Sequence, residues 1–320
     1  MVRVLPSVFP FACFPVLFVC PPFCFFLHMN IALNTDIVTS QGSPEPYLRA
    51  ISEAGFTHLH WCHQWCTDFF YGKHELKQIA AWLKEYNLKL LDIHGSSGVE
   101  KNWFSVVEYE RKEGVELVLN RVRMLSELEG TGALMMHAPF FSSLTTPETV
   151  AEIRKCHEAL RRSLDELMPH LEKYGVRIAI ENLPNDTFEL LGEVMGSYPE
   201  KYLGITYDSG HGNIGEAQGL PRMEKWKHRL QALHLHDNDT SGDLHQPPFY
   251  GTVDWNRMVE IIKTSSYQEG RPLSFELAIG HTPFAAKREG DKLVKEADLK
   301  GFLADAYQRC RKVAEMDGRF

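Results

Sequence analysis

The segment HLHDNDTSGDLHQPPFYGTVDW, residues 234–255, holds three histidines and four aspartates in twenty-two positions. It follows the apolar approach Leu230-Gln231-Ala232-Leu233. An apolar run that ends in imidazoles and carboxylates reads as a strand leaving a core and delivering polar groups at its exit. Further on, Gln246-Pro247-Pro248-Phe249-Tyr250-Gly251 carries turn residues, and Val253-Asp254-Trp255 opens a helix with Asp254 as N-cap. Such crowding is useful only if other strands bring partners to the same place.

Working outward, the same pattern recurs from Met29 onward. Short apolar runs at 31–37, 57–61, 89–94, 133–137, 177–182, 202–208, 230–236 and 272–277 read as eight strands. Between and after them, 45–54, 75–86, 106–128, 147–173, 187–195, 216–228, 255–264 and 296–315 read as helices. Strands alternating with helices argue for an α/β fold with a parallel sheet, and eight of each in roughly 290 residues fits a closed (β/α)8 TIM barrel. The competing arrangement is an open doubly wound sheet. No G-x-G-x-x-G follows the first strand, so its dinucleotide-binding form is disfavoured. No repeat or linker interrupts 29–320, which reads as one barrel domain.

Residues 1–28 differ in kind. They are apolar, aromatic and broken by prolines at 6, 10, 15, 21 and 22, with Arg3 as their one charge. Two readings stand: a signal or anchor, or sequence upstream of a true start at Met29, with the second favoured because the prolines interrupt any helix. Without them the chain keeps 33 basic against 42 acidic residues, a net charge of −9 where the whole chain has −8. That acidity speaks against a dedicated nucleic-acid binder. The seven cysteines form no paired framework, and the C-x3-C of Cys62 and Cys66 is not a usual zinc or redox spacing. Reduced thiols and a cytoplasmic location are expected, secreted or anchored only if residues 1–28 are a signal.

In a barrel, functional groups gather at the C-terminal strand ends. Strand two offers His58, His60 and His63; strand three His94; strand four His137; strand five Glu181. Strand six offers Asp208 and His211; strand seven His234 and His236, with Asp243 and His245 in its loop; strand eight Glu276. A single histidine there is more often a packing residue than a ligand. Consecutive ends that all point at one spot are different, because buried carboxylates must be paired or bound to metal. Glu, Asp and His donors suit Zn, Mn, Co or Fe rather than Ca.

The ordered motifs IAIENLP (178–184), TYDSGHGN (206–213), the segment at 233–255 and LSFELA (273–278) resemble the xylose isomerase-like TIM-barrel superfamily. That group contains sugar and sugar-phosphate isomerases and epimerases, and also endonuclease IV. The resemblance spans essentially all of 29–320. It implies a metal site of Glu181, Asp208, His234 and Glu276. His234 is preferred to His236 because it precedes Asp237 by three. The implied activity is isomerisation or epimerisation of a small sugar, sugar phosphate or polyol derivative through an enediolate. Glu181 and Glu276 would move the proton, and His211 would orient substrate or touch a second metal.

Endonuclease IV is similar but holds three metals, and positions for all nine of its ligands exist here. They are His94, His137, Glu181, Asp208, His211, His234, Asp243, His245 and Glu276. A multi-zinc phosphodiesterase or phosphatase is therefore the alternative. Basic, aromatic-bearing loops for a duplex are missing, so a small carbohydrate rather than nucleic acid is the expected partner. Trp61, Trp65 and Trp103 would wall a sugar. Lys287 and Arg288 would meet a phosphate if the substrate carries one, but a solvated charged loop is the favoured reading for that pair. A non-catalytic binding barrel is a third reading, disfavoured by intact side chains at every ligand position. Homo-oligomers are common on this fold, but the sequence exposes no interface.

Overall fold

The computed structural model describes residues 29–215, 218–267 and 270–318; the expectations for residues 1–28 lie outside the described residues. Eight strands form one sheet: β1 Ile31–Asn34, β2 His58–Trp61, β3 Lys89–His94, β4 Leu134–Met136, β5 Ile178–Glu181, β6 Leu203–Asp208, β7 Leu230–His234 and β8 Leu273–Phe275. Their order is β7-β6-β5-β4-β3-β2-β1-β8, with every paired neighbour parallel. The ring closes just past β7, where Leu235 N donates to Ser274 O at 3.0 Å and Glu276 N donates to Leu235 O at 3.2 Å. The expected TIM barrel is present.

These strands are buried on both faces, which is why they read as near-continuous apolar runs. Helices α1 Glu45–Ala54, α2 Lys73–Glu85, α3 Glu108–Glu127, α4 Pro147–Tyr174, α5 Glu189–Ser197, α6 Ser209–Asn213, α7 Gly219–Trp226, α8 Trp255–Lys263 and α9 Leu299–Asp317 alternate with them. Local chemistry sets their limits. Pro147 opens α4 and Gly175 ends it in the left-handed region at φ 64°. Asp254 caps α8 as expected, accepting from Arg257 N at 3.0 Å.

Three boundaries depart from the sequence reading. The strand ladders stop short at 136, 181, 234 and 275, so His137, Asn182, His236 and Glu276 lie past them, where the backbone turns into the site. The helix expected at 216–228 is α7, preceded by the short α6 directly on β6. The last helix starts at Leu299 because Asp298 caps it, accepting from Gly301 N at 2.8 Å. An exposed hairpin, β9 Lys287–Glu289 and β10 Lys292–Lys295, occupies the approach. Among the described residues no helix is long and apolar enough to cross a membrane.

Candidate metal centre and active site

The last residues of β5, β6 and β7 are Glu181, Asp208 and His234, and Glu276 follows β8 by one. Register aligns Asp208 with His234 across β6 and β7. The four side chains are buried and offer ligand atoms within 4.8 Å of one another. His234 Nδ1 stands 2.8 Å from Glu181 Oε1 and 2.9 Å from Glu276 Oε2. Burial alone would push both glutamates up, but the His234 charge outweighs it and holds them well below the usual carboxylate range. Burial pulls His234 down, yet Glu276 and Glu181 raise it well above an ordinary imidazole. Even with His211 charged beside Asp208, the three buried carboxylates remain in excess. The donor set therefore fits a divalent cation held by Glu181, Asp208, His234 and Glu276.

Two further groups flank this one. His137 Nε2 lies 2.9 Å from Glu181 Oε2, and His94, His137 and Glu181 form a second convergent set. Burial keeps His94 well below its ordinary value and hence neutral. On the other side, His211, Asp243 and His245 form a third. His211 N donates to Asp208 Oδ1 at 2.6 Å, while its Nε2 stands 3.2 Å from Asp243 Oδ2. Burial opposes the charge on His211, but Asp208 and Asp243 raise it to about 10. His245 is likewise raised to about 10, against burial, chiefly by its hydrogen bond to Asp243.

The loop after β7 folds back as its sequence suggested. His245 takes a left-handed backbone, φ 46°, and stacks on His236 with centroids 4.2 Å apart and planes at 4°. Such a backbone is uncommon outside glycine and marks a position held by its surroundings. Both histidines of the HLH motif enter the site: His234 meets the glutamates, and His236 Nε2 meets Asp208 Oδ1 at 2.9 Å. Asp237, fully buried, clamps the loop. Its Oδ1 accepts from Asn238 N and Val253 N, each at 3.0 Å. Its Oδ2 accepts from Phe249 N at 2.8 Å and Trp255 Nε1 at 3.0 Å. Gly210 makes room for His236, since a Cβ there would meet His236 Cε1 at 1.8 Å.

Other expected residues fall elsewhere. Trp65 does lie against the cluster, 4.4 Å from His94 and 5.8 Å from His137 between centroids. Trp61 is fully buried on the helix side of β2, donating to Tyr71 Oη at 2.9 Å, and so has no surface for a substrate. Trp103 is also buried and donates to His137 O at 3.0 Å, supporting that backbone instead of facing a sugar. Lys287 and Arg288 are exposed on β9, where Arg288 donates to Asp291 O at 3.2 Å. Among the described residues no contact ties them to the ligand cluster. His58 begins β2 rather than ending it, so it lies at the opposite end of the barrel, beside Thr57 Oγ1 at 2.8 Å. His63 is on the rim, 2.8 Å from Tyr71 Oη.

The sequence reading assigned nothing to the end of β1, yet Asp36 follows that strand by two residues and borders the site. It accepts from Asn34 Nδ2 at 2.7 Å and Trp65 Nε1 at 3.1 Å. Burial, and then Glu276, push its carboxyl up. The signal was available in LNTD, residues 33–36, an apolar run ending in polar groups. Asn182 was also missed as an organiser: its side chain pairs with the Asp208 backbone at 2.9 and 3.0 Å, and its carbonyl meets His211 Nδ1 at 3.0 Å.

Comparisons with known proteins agree with this architecture. The chain is similar over 251 residues, at 30% identity, to the uncharacterized protein y4fM of Sinorhizobium fredii, covering 72% of this chain and 79% of that one. Among solved structures, a D-tagatose 3-epimerase-like protein superposes with a TM-score of 0.68 at 18% identity, over 91% of this chain and 98% of that one. The 3-keto-D-glucoside 4-epimerase YcjR from E. coli superposes at 0.63 and 18% identity, over 89% and 99%. An L-ribulose 3-epimerase superposes at 0.65 and 13% identity, over 91% and 96%. At these identities the likeness is one of fold. The family model for the xylose isomerase-like TIM barrel matches residues 48–297, and the chain belongs to that family.

Proposed function

We propose that the protein is a divalent-metal-dependent isomerase or epimerase of a small sugar, sugar phosphate or polyol derivative. The observation that carries this reading is the convergence of Glu181, Asp208, His234 and Glu276 at the barrel mouth. Epimerases and an epimerase-like protein among the fold neighbours support it. A bound divalent ion would supply Lewis-acid polarisation of a substrate carbonyl.

The remaining work belongs to the side chains. Glu181 and Glu276 face His234 from two sides, so a substrate carbon between them is within reach of two carboxyl groups. The ionised glutamate takes the proton beside the carbonyl, leaving an enediolate. The other, also ionised in the free site, would first take up a proton from solvent and then return it to the opposite face. His211, held charged by Asp208 and Asp243, would share its Nε2–H between Asp243 and a substrate oxygen. Trp65 offers a flat apolar wall to sugar C–H groups.

The test is a panel of ketopentoses, ketohexoses and their phosphates in deuterium oxide with Mn, Co or Zn ions. Deuterium entering the carbon beside the carbonyl, read by NMR, is expected. Absence of exchange across the panel, with cleavage of abasic DNA or simple phosphate esters, would overturn the reading. A specific observation favours that second reading, a phosphate-ester hydrolase: the two flanking groups, His94–His137–Glu181 and His211–Asp243–His245, adjoin the central four.

A further inference from the structure

Beside His234 lies a buried pair the proposed chemistry does not use. His60 Nδ1 stands 2.8 Å from Asp92 Oδ1, with both side chains sealed from solvent. The His60 ring is 4.4 Å from that of His234. With Asp92 accepting from Nδ1–H, the ring's remaining lone pair is on Nε2, and that atom is buried with no hydrogen-bond partner. A carboxylate fixing one ring nitrogen while the other is held open and dry is the arrangement that orients metal-binding histidines.

Two more donors converge there. Cys62 follows β2 by one residue, fully buried, with its Sγ 3.9 Å from Glu276 Oε1. The Cys62 backbone is pinned by Thr35 Oγ1, which accepts from Cys62 N at 2.9 Å. His60, Cys62 and Glu276 offer ligand atoms that all lie within 4.8 Å of one another. Asp36 borders the same thiol from the β1 side. A buried cysteine packed only for volume would not need two carboxyl groups and an open imidazole nitrogen around it.

We propose that His60 Nε2, Cys62 Sγ and the Glu276 carboxylate form a second, sulfur-containing site for a borderline-soft divalent cation such as Zn, Co or Fe. Thiolate and imidazole donors select against Mg, Ca and Mn. Binding exchanges the Cys62 thiol proton for the metal and releases that proton to solvent. Glu276 then adjoins both this site and the central one. The site goes beyond the proposed function: it shares Glu276 with the central four, but His60 and Cys62 lie outside them.

The test loads the full chain with Co or Zn ions. Expected are a thiolate-to-cobalt charge-transfer absorption and, by X-ray absorption at the zinc edge, a sulfur neighbour at about 2.3 Å. Cys62→Ser should abolish both signals. Asp92→Asn, which keeps the side-chain volume, should weaken the sulfur-bound metal about 10- to 100-fold. Asp208→Asn should leave the sulfur signal in place. Metal bound through nitrogen and oxygen alone overturns this site and leaves the proposed function standing. A sulfur signal unchanged in Cys62→Ser also overturns it. A sulfur signal surviving in Asp208→Asn while the central metal is lost supports it independently of the isomerase reading. A wild-type chain that binds no metal overturns both.

Discussion

Oε1 of Glu181 lies 2.8 Å from Nδ1 of His234, and neither side chain meets bulk water. Oε2 of the same glutamate lies 2.9 Å from Nε2 of His137. Glu181 is thus the junction between the central group and one of its flanks. Glu181→Gln keeps the shape and removes the charge and the base. Turnover of the accepted sugar should fall by about 10²- to 10⁴-fold, the usual contribution of a positioned general base. Glu276→Gln should do the same. Activity near wild type in either variant, measured by the deuterium-exchange assay, would sink the two-glutamate mechanism.

Buried carboxylates without a counter-ion repel, so metal should stabilise the fold. With free metal at about 100 times its dissociation constant, linkage adds about 2.7 kcal/mol. Chelation should therefore lower the melting temperature, and readdition of Zn or Mn should restore it. Elemental mass spectrometry on protein purified without chelators gives the count. About one metal per chain agrees with an isomerase whose central four residues alone are loaded. Two or three would bring the flanking groups or the cysteine site into play.

In the metal-free chain, His211 titrates near 10 instead of its ordinary 6.5. A histidine whose folded pKa is raised contributes stability that is complete below about 6.5 and is lost as pH rises through about 10. Denaturant midpoints of chelated protein should accordingly decline from pH 7 to pH 10. His211→Asn should flatten that decline, although His245, also raised to about 10, will retain part of it. An identical slope in wild type and variant would rule out His211 as a source.

Asp237 organises the loop that carries Asp243 and His245, though it is no ligand in the central four. Asp237→Ala strands the donors Asn238 N, Val253 N, Phe249 N and Trp255 Nε1. Unsatisfied buried donors cost about 1–3 kcal/mol each, so a loss above about 3 kcal/mol is expected in equilibrium unfolding. A loss below about 1 kcal/mol would mean that water replaces the carboxylate freely.

Gly210→Ala places a methyl on top of the His236 ring. Displacement of a site residue by about 1 Å can cost about 100-fold in rate, and a decrease of that order is expected. Far-ultraviolet circular dichroism should stay near wild type, separating a local shift from unfolding.

Much of this site was legible because a parallel barrel obeys a simple rule: the residue that ends a strand faces the mouth. Glu181, Asp208 and His234 are strand-final, and Glu276 is one further on. The rule failed where side chains alternate. Trp61 sits one residue after His60, so the pleat turns it to the helices while His60 looks inward. Lys287 and Arg288 lie beyond the sheet, where strand periodicity gives no direction, and they sit on an exposed charged hairpin, the reading favoured for them from sequence. Asp36 escaped because the strand it follows is short and its polar tail looks like an ordinary turn.

By itself, the sequence determined the alternation of strand and helix, the closed barrel, and the inventory of acids and imidazoles at its mouth. These follow from periodicity and from the chemistry of strand ends, which act over a few residues. Only the tertiary structure decided which donors share a point in space. His60 lies on β2 with Cys62 just past it, Asp92 on β3 and Glu276 past β8, and no spacing along the chain links the three segments. The barrel's closure brings them together, because Leu235 bridges to β8 and β8 pairs with β1. Burial then makes each unpaired charge costly, and that cost is what turns proximity into a demand for a cation.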